Sequence, residues 1–264
     1  KKAFVCPYHG WVYRLDGKLQ AIPHEQGFPG FDKSEHGLVE VNVFEQCGLI
    51  FVKQDATAQT ANPLEELPTL LQPSQIIINK NEATVSANWK IYLESFLEGY
   101  HIKFAHPDTF YPFGYDNLNI IEFCGPHARV TFPFRRIESL IDVEPSERDV
   151  SGRLTYVYHI FPNVIVTVLS HHTNVIILEP VDLRTTRTTI YQLTNPTKDG
   201  DQQGALEAAK RDLSFVTETG AMEDIALVRS IQKSIESGAN DAFTFGHFEP
   251  AIVHFHQQLS KLIG

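Results

Sequence analysis

Two histidines stand five residues apart in the stretch NWKIYLESFLEGYHIKFAHP. His101 and His106 have the acidic residues Glu94, Glu98 and Asp108 close by in sequence. Two neutral imidazoles and one carboxylate are a ligand set that holds a divalent iron and leaves coordination positions open for oxygen and substrate. On spacing alone, two ordinary histidines on either side of a helix end are the more common case. The spacing therefore suggests an iron site but does not establish one.

The residues around this pair predict a helix over 89–105. Asn88 is a suitable N-cap for it, and Pro107 prevents its continuation. On a regular helix of about 100° per residue, five residues separate two side chains by about 140°, so both imidazoles would not face one ion. Either the helix is locally widened, as in a π-bulge, or it is ending as the proline approaches. An iron site at His101 and His106 requires one of these distortions.

A cysteine and a histidine form a second candidate pair near residue 1. Cys6 and His9 lie in the sequence CPYHGW. The other two cysteines, Cys47 and Cys124, stand at irregular spacing, which does not indicate a disulfide framework and favours a reducing compartment such as the cytoplasm. The chain has 12 histidines, more than packing alone requires, which favours a search for metal sites.

Composition and charge exclude several functional classes. The chain has 264 residues, with 22 Lys and Arg against 32 Asp and Glu, a net charge of −10 and no basic cluster. Nucleic acid and an anionic membrane surface are therefore not expected as partners. No apolar run approaches the roughly 20 residues needed to cross a bilayer, and we expect no signal peptide.

Strand and turn patterns predict two parts joined by a linker. Residues 1–55 alternate short apolar strands with hairpin turns at Asp16-Gly17 and Cys47-Gly48. Residues 56–75 are polar and rich in proline, which predicts a linker. Residues 76–264 form the second part, which contains the histidine helix.

The second part predicts an α+β domain. Between residues 119 and 195 the pattern is strand after strand, with period-2 alternation and many β-branched residues. Helical patterns follow over 203–237, interrupted near Thr219-Gly220, and over 248–262. Strands between two helical regions favour an antiparallel sheet that wraps around a long helix.

Taken together, the two motifs resemble the large, oxygenase subunit of the Rieske non-haem iron oxygenases. CPYHGW resembles the second ligand pair of a Rieske iron–sulfur cluster, and NWKIYLESFLEGYHIKFAHP resembles the mononuclear-iron motif of that subunit. The residues that match this motif in order and spacing are Asn88, Trp89, Lys90, Glu98, His101 and His106. The resemblance covers essentially the whole chain. It implies the remnant of a small β Rieske domain, followed by a catalytic domain with the helix-grip fold.

The resemblance also implies a role for Cys6 and His9. In the family, one iron of the cluster takes two thiolates and the other two imidazoles, from a Cys-x-His pair and a later Cys-x-x-His pair. Cys6 and His9 match the later pair, and no Cys-x-His occurs in these 264 residues. The resemblance thus implies half of a [2Fe–2S] site, which alone should not hold a cluster. We expect the sequence to be truncated at its N-terminus.

The same resemblance implies functional roles for acidic residues. The stretch GAMEDIALVRSIQKSIESG resembles the family segment that supplies the carboxylate ligand, which puts Asp224 with His101 and His106 on a mononuclear Fe(II). Its neighbour Glu223 is the competing carboxylate, since one helical step of about 100° prevents both from facing the iron equally. Without the resemblance the pair would be ordinary charges at a helix N-terminus. Glu98 is expected to bridge the two metal centres between subunits.

The activity implied is that of an oxygenase component. Electrons from NAD(P)H would pass through a separate reductase or ferredoxin and the cluster to the iron, which activates O2. The product would be a hydroxylated or oxidatively demethylated small organic molecule. A homotrimer is implied, with a small β-subunit as an optional component.

The substrate class has two candidates, aromatic rings and quaternary ammonium compounds. Glu98, where many aromatic-ring dioxygenases have aspartate, resembles members that act on choline, betaine or carnitine. A trimethylammonium group would favour an aromatic cage. Aromatic residues that could form a cage, or belong to the core, are Phe104, Phe110, Tyr111, Phe132, Phe134 and Tyr156.

Two alternatives stay open from the sequence. A non-catalytic ligand-binding protein of the helix-grip fold would have an apolar cavity and no use for iron. A degenerate oxygenase subunit, kept for assembly, would have lost half of its cluster ligands. The other histidines considered are expected outside metal sites: His171-His172 in a polar turn, His24 and His36 in a loop, and His247, His254 and His256 near the last helix.

Overall fold

The computed structural model describes residues 2–46, 48–53, 67–196, 200–218 and 220–264. The chain divides into two compact units, Lys1–Leu64 and Glu65–Gly264. Of the predicted linker 56–75, residues 56–66 lie outside the described residues. Leu67 and Leu70, which follow, are buried and belong to the second unit.

The first unit is built from short antiparallel strands. They are β1 (Phe4–Val5), β2 (Val12–Tyr13) and β3 (Leu19–Ala21), which form one sheet in that order, and the pair β4 (Asn42–Gln46) and β5 (Leu49–Lys53). The predicted turn at Asp16-Gly17 joins β2 to β3: Gly17 adopts φ +81°, and the Asp16 carboxylate accepts a hydrogen bond from Lys18 N (3.2 Å). At the second predicted turn Gly48 has φ +74°, while Cys47 lies outside the described residues.

The second unit contains a seven-stranded antiparallel sheet. Its strands are β6 (Ile77–Val85), β7 (Ile120–Cys124), β8 (His127–Pro133), β9 (Leu154–Ile160), β10 (Val164–Val168), β11 (His172–Asp182) and β12 (Thr185–Thr194). From β7 to β12 each strand pairs with the next along the chain, and β6 pairs with the outer edge of β12. The strand region predicted between 119 and 195 is therefore one continuous antiparallel meander, completed by a strand from before the histidine motif.

Five helices are present in the described part of the chain. They are α1 (Trp89–Glu94), α2 (Ile102–Ala105), α3 (Gln202–Glu218), α4 (Gly220–Glu236) and α5 (Pro250–Ile263). Short 3-10 helices lie at Glu25–Gly27, Lys33–Glu35, Arg135–Leu140 and Pro145–Glu147. The predicted interruption near Thr219-Gly220 separates α3 from α4, although Thr219 itself is outside the described residues. None of the helices described is long and apolar enough to cross a membrane.

The hydrophobic core lies between one face of this sheet and the helices α1, α4 and α5. Alternate strand residues supply it, such as Ile165 on β10 and Leu178 on β11, both without exposed surface. Leu93 of α1 and Phe255 of α5 are equally buried, and Trp89 meets Phe255 edge-on at 5.6 Å between ring centroids. Each fully buried side chain of this size contributes about 1.5–3 kcal/mol. The core thus holds α1, which precedes the histidines, firmly against the sheet.

His159 on β9 is a titratable group inside this core. Its side chain has no exposed surface, its Nε2–H donates to the Pro162 carbonyl oxygen (3.0 Å), and its ring lies edge-on to Phe255 (5.3 Å). Burial is the main cause that lowers the pKa of His159 to about 4. The hydrogen bond to Pro162 acts in the opposite direction, and the imidazoles of His127 and His254 add to the decrease.

We expect His159 to make folding stability fall between pH 6.5 and pH 4. Its folded pKa lies below the ordinary value of 6.5, so the folded state keeps the ring neutral while the unfolded chain takes up a proton. The stabilisation is full above pH 6.5 and is lost as the pH falls towards 4, by about 3 kcal/mol in total. Chemical denaturation of the chain and of His159→Gln across this range measures the difference.

Glutamine takes up no proton in this pH range, so the free energy of unfolding of His159→Gln should depend less steeply on pH. Its amide can still donate to the Pro162 carbonyl oxygen, so that hydrogen bond is kept. The control is His247→Gln, which changes an exposed histidine of the same unit and should keep the parent's slope. Equal slopes for His159→Gln and the parent would contradict this assignment.

Candidate metal centre

Asn88 fixes the start of the helix that leads to the histidines. Its side-chain Oδ1 accepts a hydrogen bond from Lys90 N (3.1 Å), so it is the predicted N-cap of α1. Its backbone N–H donates to Oε1 of Gln232 on α4 (2.9 Å), and Gln232 is buried. Because α4 also carries Asp224, this contact joins α1 to the helix that bears the candidate carboxylate ligand.

The prediction of a continuous helix over 89–105 is wrong. The helix α1 ends at Glu94, and α2 begins only at Ile102. The hydroxyl of Ser95 donates to the carbonyl oxygen of Tyr92 (2.9 Å) and so competes with the helical hydrogen-bond pattern at that turn. The carbonyl oxygen of Glu94 accepts from the amide three residues later (2.9 Å), a 3-10 spacing that tightens the chain instead of widening it.

Gly99 lets the segment between the two helices pass close to the sheet. A Cβ at this position would lie 3.1 Å from Cε1 of Phe132 on β8, so a larger residue would require Phe132 to move. The chain then reaches His101, which stands at the start of α2, and His106, which stands at its end. Since α2 is a single turn, the two histidines flank one turn and need no long regular helix between them.

The three residues predicted as iron ligands come together. Asp224 Oδ1 lies 2.9 Å from His106 Nε2 and 3.7 Å from His101 Nε2, and one ligand atom from each residue lies within 4.8 Å of the others. Two ligands of one divalent metal at about 2.1 Å each stand at most about 4.2 Å apart, so both measured pairs fit a shared ion. Across the described residues, no other group of three His, Cys, Asp or Glu side chains converges in this way.

The donor set also fits iron in particular. Two imidazole nitrogens and one carboxylate oxygen form the facial triad of non-haem Fe(II) sites, in which the opposite positions stay open. The side chain of His106 is 1% exposed, whereas those of His101 and Asp224 are 23% and 19% exposed. The arrangement therefore offers one fully enclosed ligand and two that border open space.

Each imidazole is also contacted by a glutamate at its Nδ1 atom. One oxygen of Glu98 contacts His101 Nδ1, and the other accepts from the backbone N–H groups of His101 (3.1 Å) and of the residue before it. Oε2 of Glu223 lies 2.7 Å from His106 Nδ1. Both rings consequently turn their Nε2 atoms towards Asp224.

The neighbouring carboxylates change the acid–base properties of His106. Burial alone would lower the pKa of this imidazole, but hydrogen bonding and charge from Asp224, and then from Glu223, outweigh burial and raise it. Burial would raise the pKa of Glu223, yet its hydrogen bonds with His106 and Thr109 leave it lowered. Burial, assisted by the charge of Asp224, raises the pKa of Tyr92 to about 12. The site thus favours a cation, either a proton on His106 or a metal ion.

A cleft of about 680 Å³ is lined by His101 and Asp224 together with residues of α1, α4 and the segment before α5. Its apolar lining includes Leu227, Ile231 and Ile235 of α4. Its charged lining consists of the carboxylates of Glu94, Glu98, Asp224 and Glu249 and the ammonium of Lys90. A volume of this size suits a small organic molecule.

The aromatic lining of the cleft differs from the one expected from the sequence. It comes from Phe243 and Phe245, and the six aromatic residues considered for a cage do not line this cleft. The alternating phenylalanines of DAFTFGHFEP were the available signal. His256, expected outside any site, also lines the cleft, and its Nε2 lies 2.8 Å from Glu94 Oε1.

The prediction of a polar turn at His171-His172 is wrong for His172. This residue begins β11 and has no exposed surface, and its Nδ1 lies 2.8 Å from Oδ2 of Asp212 on α3. A buried imidazole needs a hydrogen-bond partner, and here the partner comes from a helix that is distant in sequence.

In the first unit, the candidate cluster ligands lie on one hairpin. Cys6 follows β1, and the turn that contains His9 is closed by hydrogen bonds from Cys6 N to Trp11 O (2.8 Å) and from Gly10 N to Cys6 O (3.0 Å). Cys6 is half-buried and His9 is exposed. The turn offers one sulfur and one imidazole nitrogen, the two kinds of ligand that a Rieske [2Fe–2S] cluster uses.

Two family models match the chain. The model described as ring hydroxylating alpha subunit (catalytic domain) matches residues 75–264, and that of the Rieske [2Fe-2S] domain matches residues 1–45. The chain belongs to the ring-hydroxylating alpha subunits. Membership implies a Rieske [2Fe–2S] cluster and a mononuclear iron as cofactors, and it confirms the resemblance inferred from the two motifs.

Relatives of this alpha subunit include two kinds of monooxygenase. The chloroplastic choline monooxygenase of Arabidopsis thaliana is 24% identical over 97% of this chain and 62% of its own length. The carnitine monooxygenase oxygenase subunit of Acinetobacter pittii is 28% identical over 90% of this chain and 64% of its own length. The chain therefore spans less than two thirds of the length of these curated relatives.

Solved structures with the same fold include both monooxygenases and dioxygenases. The quaternary ammonium Rieske monooxygenase CntA matches with a TM-score of 0.74 at 20% identity, over 99% of this alpha subunit and 72% of CntA. Naphthalene 1,2-dioxygenase from Rhodococcus sp. matches with a TM-score of 0.72 at 16% identity, over 100% of this chain and 76% of its own. These matches confirm the predicted fold, a Rieske part followed by a helix-grip catalytic part.

We expect Asp224→Ala to abolish Fe(II) binding while the chain stays folded. Asp224 supplies the carboxylate oxygen that lies near both Nε2 atoms, and without it the facial triad is incomplete. Its side chain is not part of the hydrophobic core, so the circular dichroism spectrum should change little. Anaerobic Fe(II) titration and metal analysis after desalting measure retention.

The matched control is Asp241→Ala, which removes an exposed acidic residue after α4 and should retain iron like the parent. Stoichiometric iron in desalted Asp224→Ala would mean that another carboxylate is the ligand.

Proposed function

We propose that this chain is the oxygenase component of a Rieske-type monooxygenase or dioxygenase that hydroxylates or oxidatively demethylates a small organic molecule. The observation that carries the proposal is the convergence of His101, His106 and Asp224 beside a cleft of about 680 Å³. Membership of the ring-hydroxylating alpha subunits supports the same reaction class.

The reaction determines what the protein has to supply. Monooxygenation inserts one oxygen atom of O2 into a C–H bond and reduces the other to water, which consumes two electrons and two protons. When bound, iron supplies the redox chemistry that activates O2. His101 and His106 would hold it through their Nε2 atoms, and Asp224 through a carboxylate oxygen. The apolar residues of α4 would bind the substrate and exclude water from the reacting atoms.

Two rival functions agree less well with these contacts. A non-catalytic binding protein would need only an apolar cavity, whereas three carboxylates besides Asp224 line this cleft. Bringing such groups together without a cation is unfavourable. A degenerate subunit would keep the fold but would have no need for two imidazoles that are each fixed by a glutamate at Nδ1.

Electrons are proposed to come from NAD(P)H through a reductase or ferredoxin and then through a Rieske cluster for which Cys6 and His9 are candidate ligands. In a homotrimer, Glu98 would link His101 to a cluster histidine of the neighbouring subunit. Oε1 of Glu98 contacts His101 Nδ1, and a carboxylate oxygen can accept a second hydrogen bond. A small β-subunit is an optional component. A reducing compartment such as the cytoplasm is proposed, because it would keep Cys6, which forms no disulfide among the described residues, available as a cluster ligand.

Single-turnover experiments on the holoenzyme test this function. We expect substrate-dependent oxidation of the reduced cluster, with label from 18O2 in the product. Glu98→Gln should keep both metal centres and the assembly, because its amide oxygen can still accept from the backbone N–H groups. It should lose most turnover, because a neutral amide holds two ligand imidazoles less well than a carboxylate. Cluster absorbance and mass spectrometry of the product measure the two steps.

Glu207→Gln, an exposed position on α3, is the control and should turn over like the parent. Cluster oxidation at the parent's rate in Glu98→Gln would exclude Glu98 as the bridge. A holoenzyme that retains no mononuclear iron would exclude the oxygenase function itself.

We further propose that the substrate is a quaternary ammonium compound rather than an aromatic hydrocarbon. Four carboxylates and one lysine line the cleft. Phe243 stacks on Phe245 (6.5 Å between centroids), and Phe245 stacks on His256 (5.9 Å), whose Nε2 lies 2.8 Å from Glu94 Oε1. Aromatic faces beside carboxylates recognise a cation that has no N–H donor. The choline and carnitine monooxygenases among the relatives support the same substrate class.

Phe245→Leu should lower kcat/KM for a trimethylammonium substrate about 2- to 30-fold, which corresponds to the loss of one cation–π contact of about 0.5–2 kcal/mol. The neutral isostere with a tert-butyl group should be affected much less, because leucine still provides apolar contact. Phe123→Leu, on β7 and outside the cleft lining, is the control. Equal losses for the charged and neutral substrates would contradict the cation site and leave the oxygenase function intact.

A further inference from the structure

Glu223 has two hydrogen-bond partners at the metal centre, although it is not one of the three converging residues. Its Oε2 lies 2.7 Å from His106 Nδ1 and accepts a hydrogen bond from the Thr109 hydroxyl (2.9 Å). Glu223 lies in the first turn of α4, whereas Thr109 follows α2. The contact therefore ties the segment that carries His106 to the helix that carries Asp224.

Adjacent residues of α4 reach the same imidazole from opposite sides. Asp224 Oδ1 lies 2.9 Å from His106 Nε2, while Glu223 lies at Nδ1. The ring stands between the two carboxylates, so one helical step of about 100° lets each serve a different nitrogen. Only one of the two carboxylates can ligate the iron directly, while the other can still orient the ring.

Orientation matters at His106 because its ring is buried. The side chain is 1% exposed and packs against Phe110 at 4.9 Å between ring centroids, so bulk water cannot satisfy Nδ1. A neutral imidazole carries one N–H. With Glu223 as acceptor this proton stays on Nδ1 and leaves the Nε2 lone pair for a metal. Without that acceptor, the tautomer with N–H on Nε2 would donate to Asp224 and could not bind a metal.

We propose that Glu223, itself held by Thr109, is a positioning residue that fixes the metal-binding tautomer and direction of His106. This role rests on the proposed metal centre. Glu98 makes the equivalent contact to His101 from three residues away, whereas Glu223 acts across 117 residues of sequence. Because Glu223 lies on α4, the orientation of the His106 ring depends on where α4 docks.

Metal binding by the 264-residue chain tests this role. Glu223→Ala should raise the Fe(II) dissociation constant about 10- to 100-fold, as expected when a metal-bound histidine loses its outer hydrogen-bond partner. Glu223→Gln keeps an acceptor oxygen and should lose less affinity, and Thr109→Val should also lose less than the alanine variant. Anaerobic Fe(II) titration measures the affinities, and the absorption spectrum of the Co(II) form reports the coordination geometry.

Chemical rescue distinguishes positioning from a purely structural role. The Glu223 side chain is 35% exposed, so a small carboxylate such as formate can enter the space left in Glu223→Ala. Formate should restore tighter Fe(II) binding, and chloride at the same ionic strength should not. Arg229→Gln, an exposed position on the same helix, is the control and should bind Fe(II) like the parent.

Parent-like Fe(II) affinity in Glu223→Ala, alongside an Asp224→Ala variant that binds none, would overturn the positioning role and leave the metal centre in place. Weaker binding that formate does not restore would assign Glu223 a structural role and would also overturn the proposal. A parent chain with no affinity for Fe(II) would overturn the metal centre, and this inference with it.

Discussion

One buried imidazole between two carboxylates is the interaction on which the site depends. His106 has almost no contact with solvent, so each of its ring nitrogens must find a partner within the protein or leave a buried polar group unsatisfied, at a cost of about 1–3 kcal/mol. Glu223 and Asp224 satisfy both nitrogens from successive positions of α4. These two contacts therefore favour the docking of α4, which carries the candidate ligand Asp224, against the segment that carries His106.

Contacts elsewhere in the second unit fix the position at which α4 docks. Asn88 caps α1 and bonds to the buried Gln232 of α4, so the two helices are joined at a second point, two turns beyond Asp224. The α1 helix is in turn held to the sheet by Leu93, and Gly99 brings the following segment against Phe132. The ligands are thus positioned by short polar contacts between helices whose own places are set by apolar packing.

Local patterns predicted much of this arrangement, and long-range contacts account for what they missed. Alternation of apolar residues was sufficient for the strands, and the histidine motif together with the stretch around Asp224 proposed three residues that the structure brings together, His101, His106 and Asp224. The continuous helix was wrong because a serine hydroxyl and an approach to the sheet outweigh helical propensity there. The role of His172 was missed because its partner, Asp212, lies 40 residues away. Neither the approach of the Gly99 segment to the sheet nor the pair of His172 with Asp212 produces a periodic pattern in the sequence.

The charges around the proposed metal centre also influence what the cleft can bind. With Fe(II) bound and both imidazoles neutral, the carboxylates of Glu98, Glu223 and Asp224 outnumber the two charges of the ion by one. A negatively charged substrate would meet repulsion at the reacting end of the cleft, and a cation would meet attraction that weakens with distance and salt. Glu249 adds to this field. If the proposed metal centre is correct, the carboxylates that orient its ligands favour the same substrate charge as Phe243 and Phe245. Selection of the substrate would then be linked to construction of the metal site.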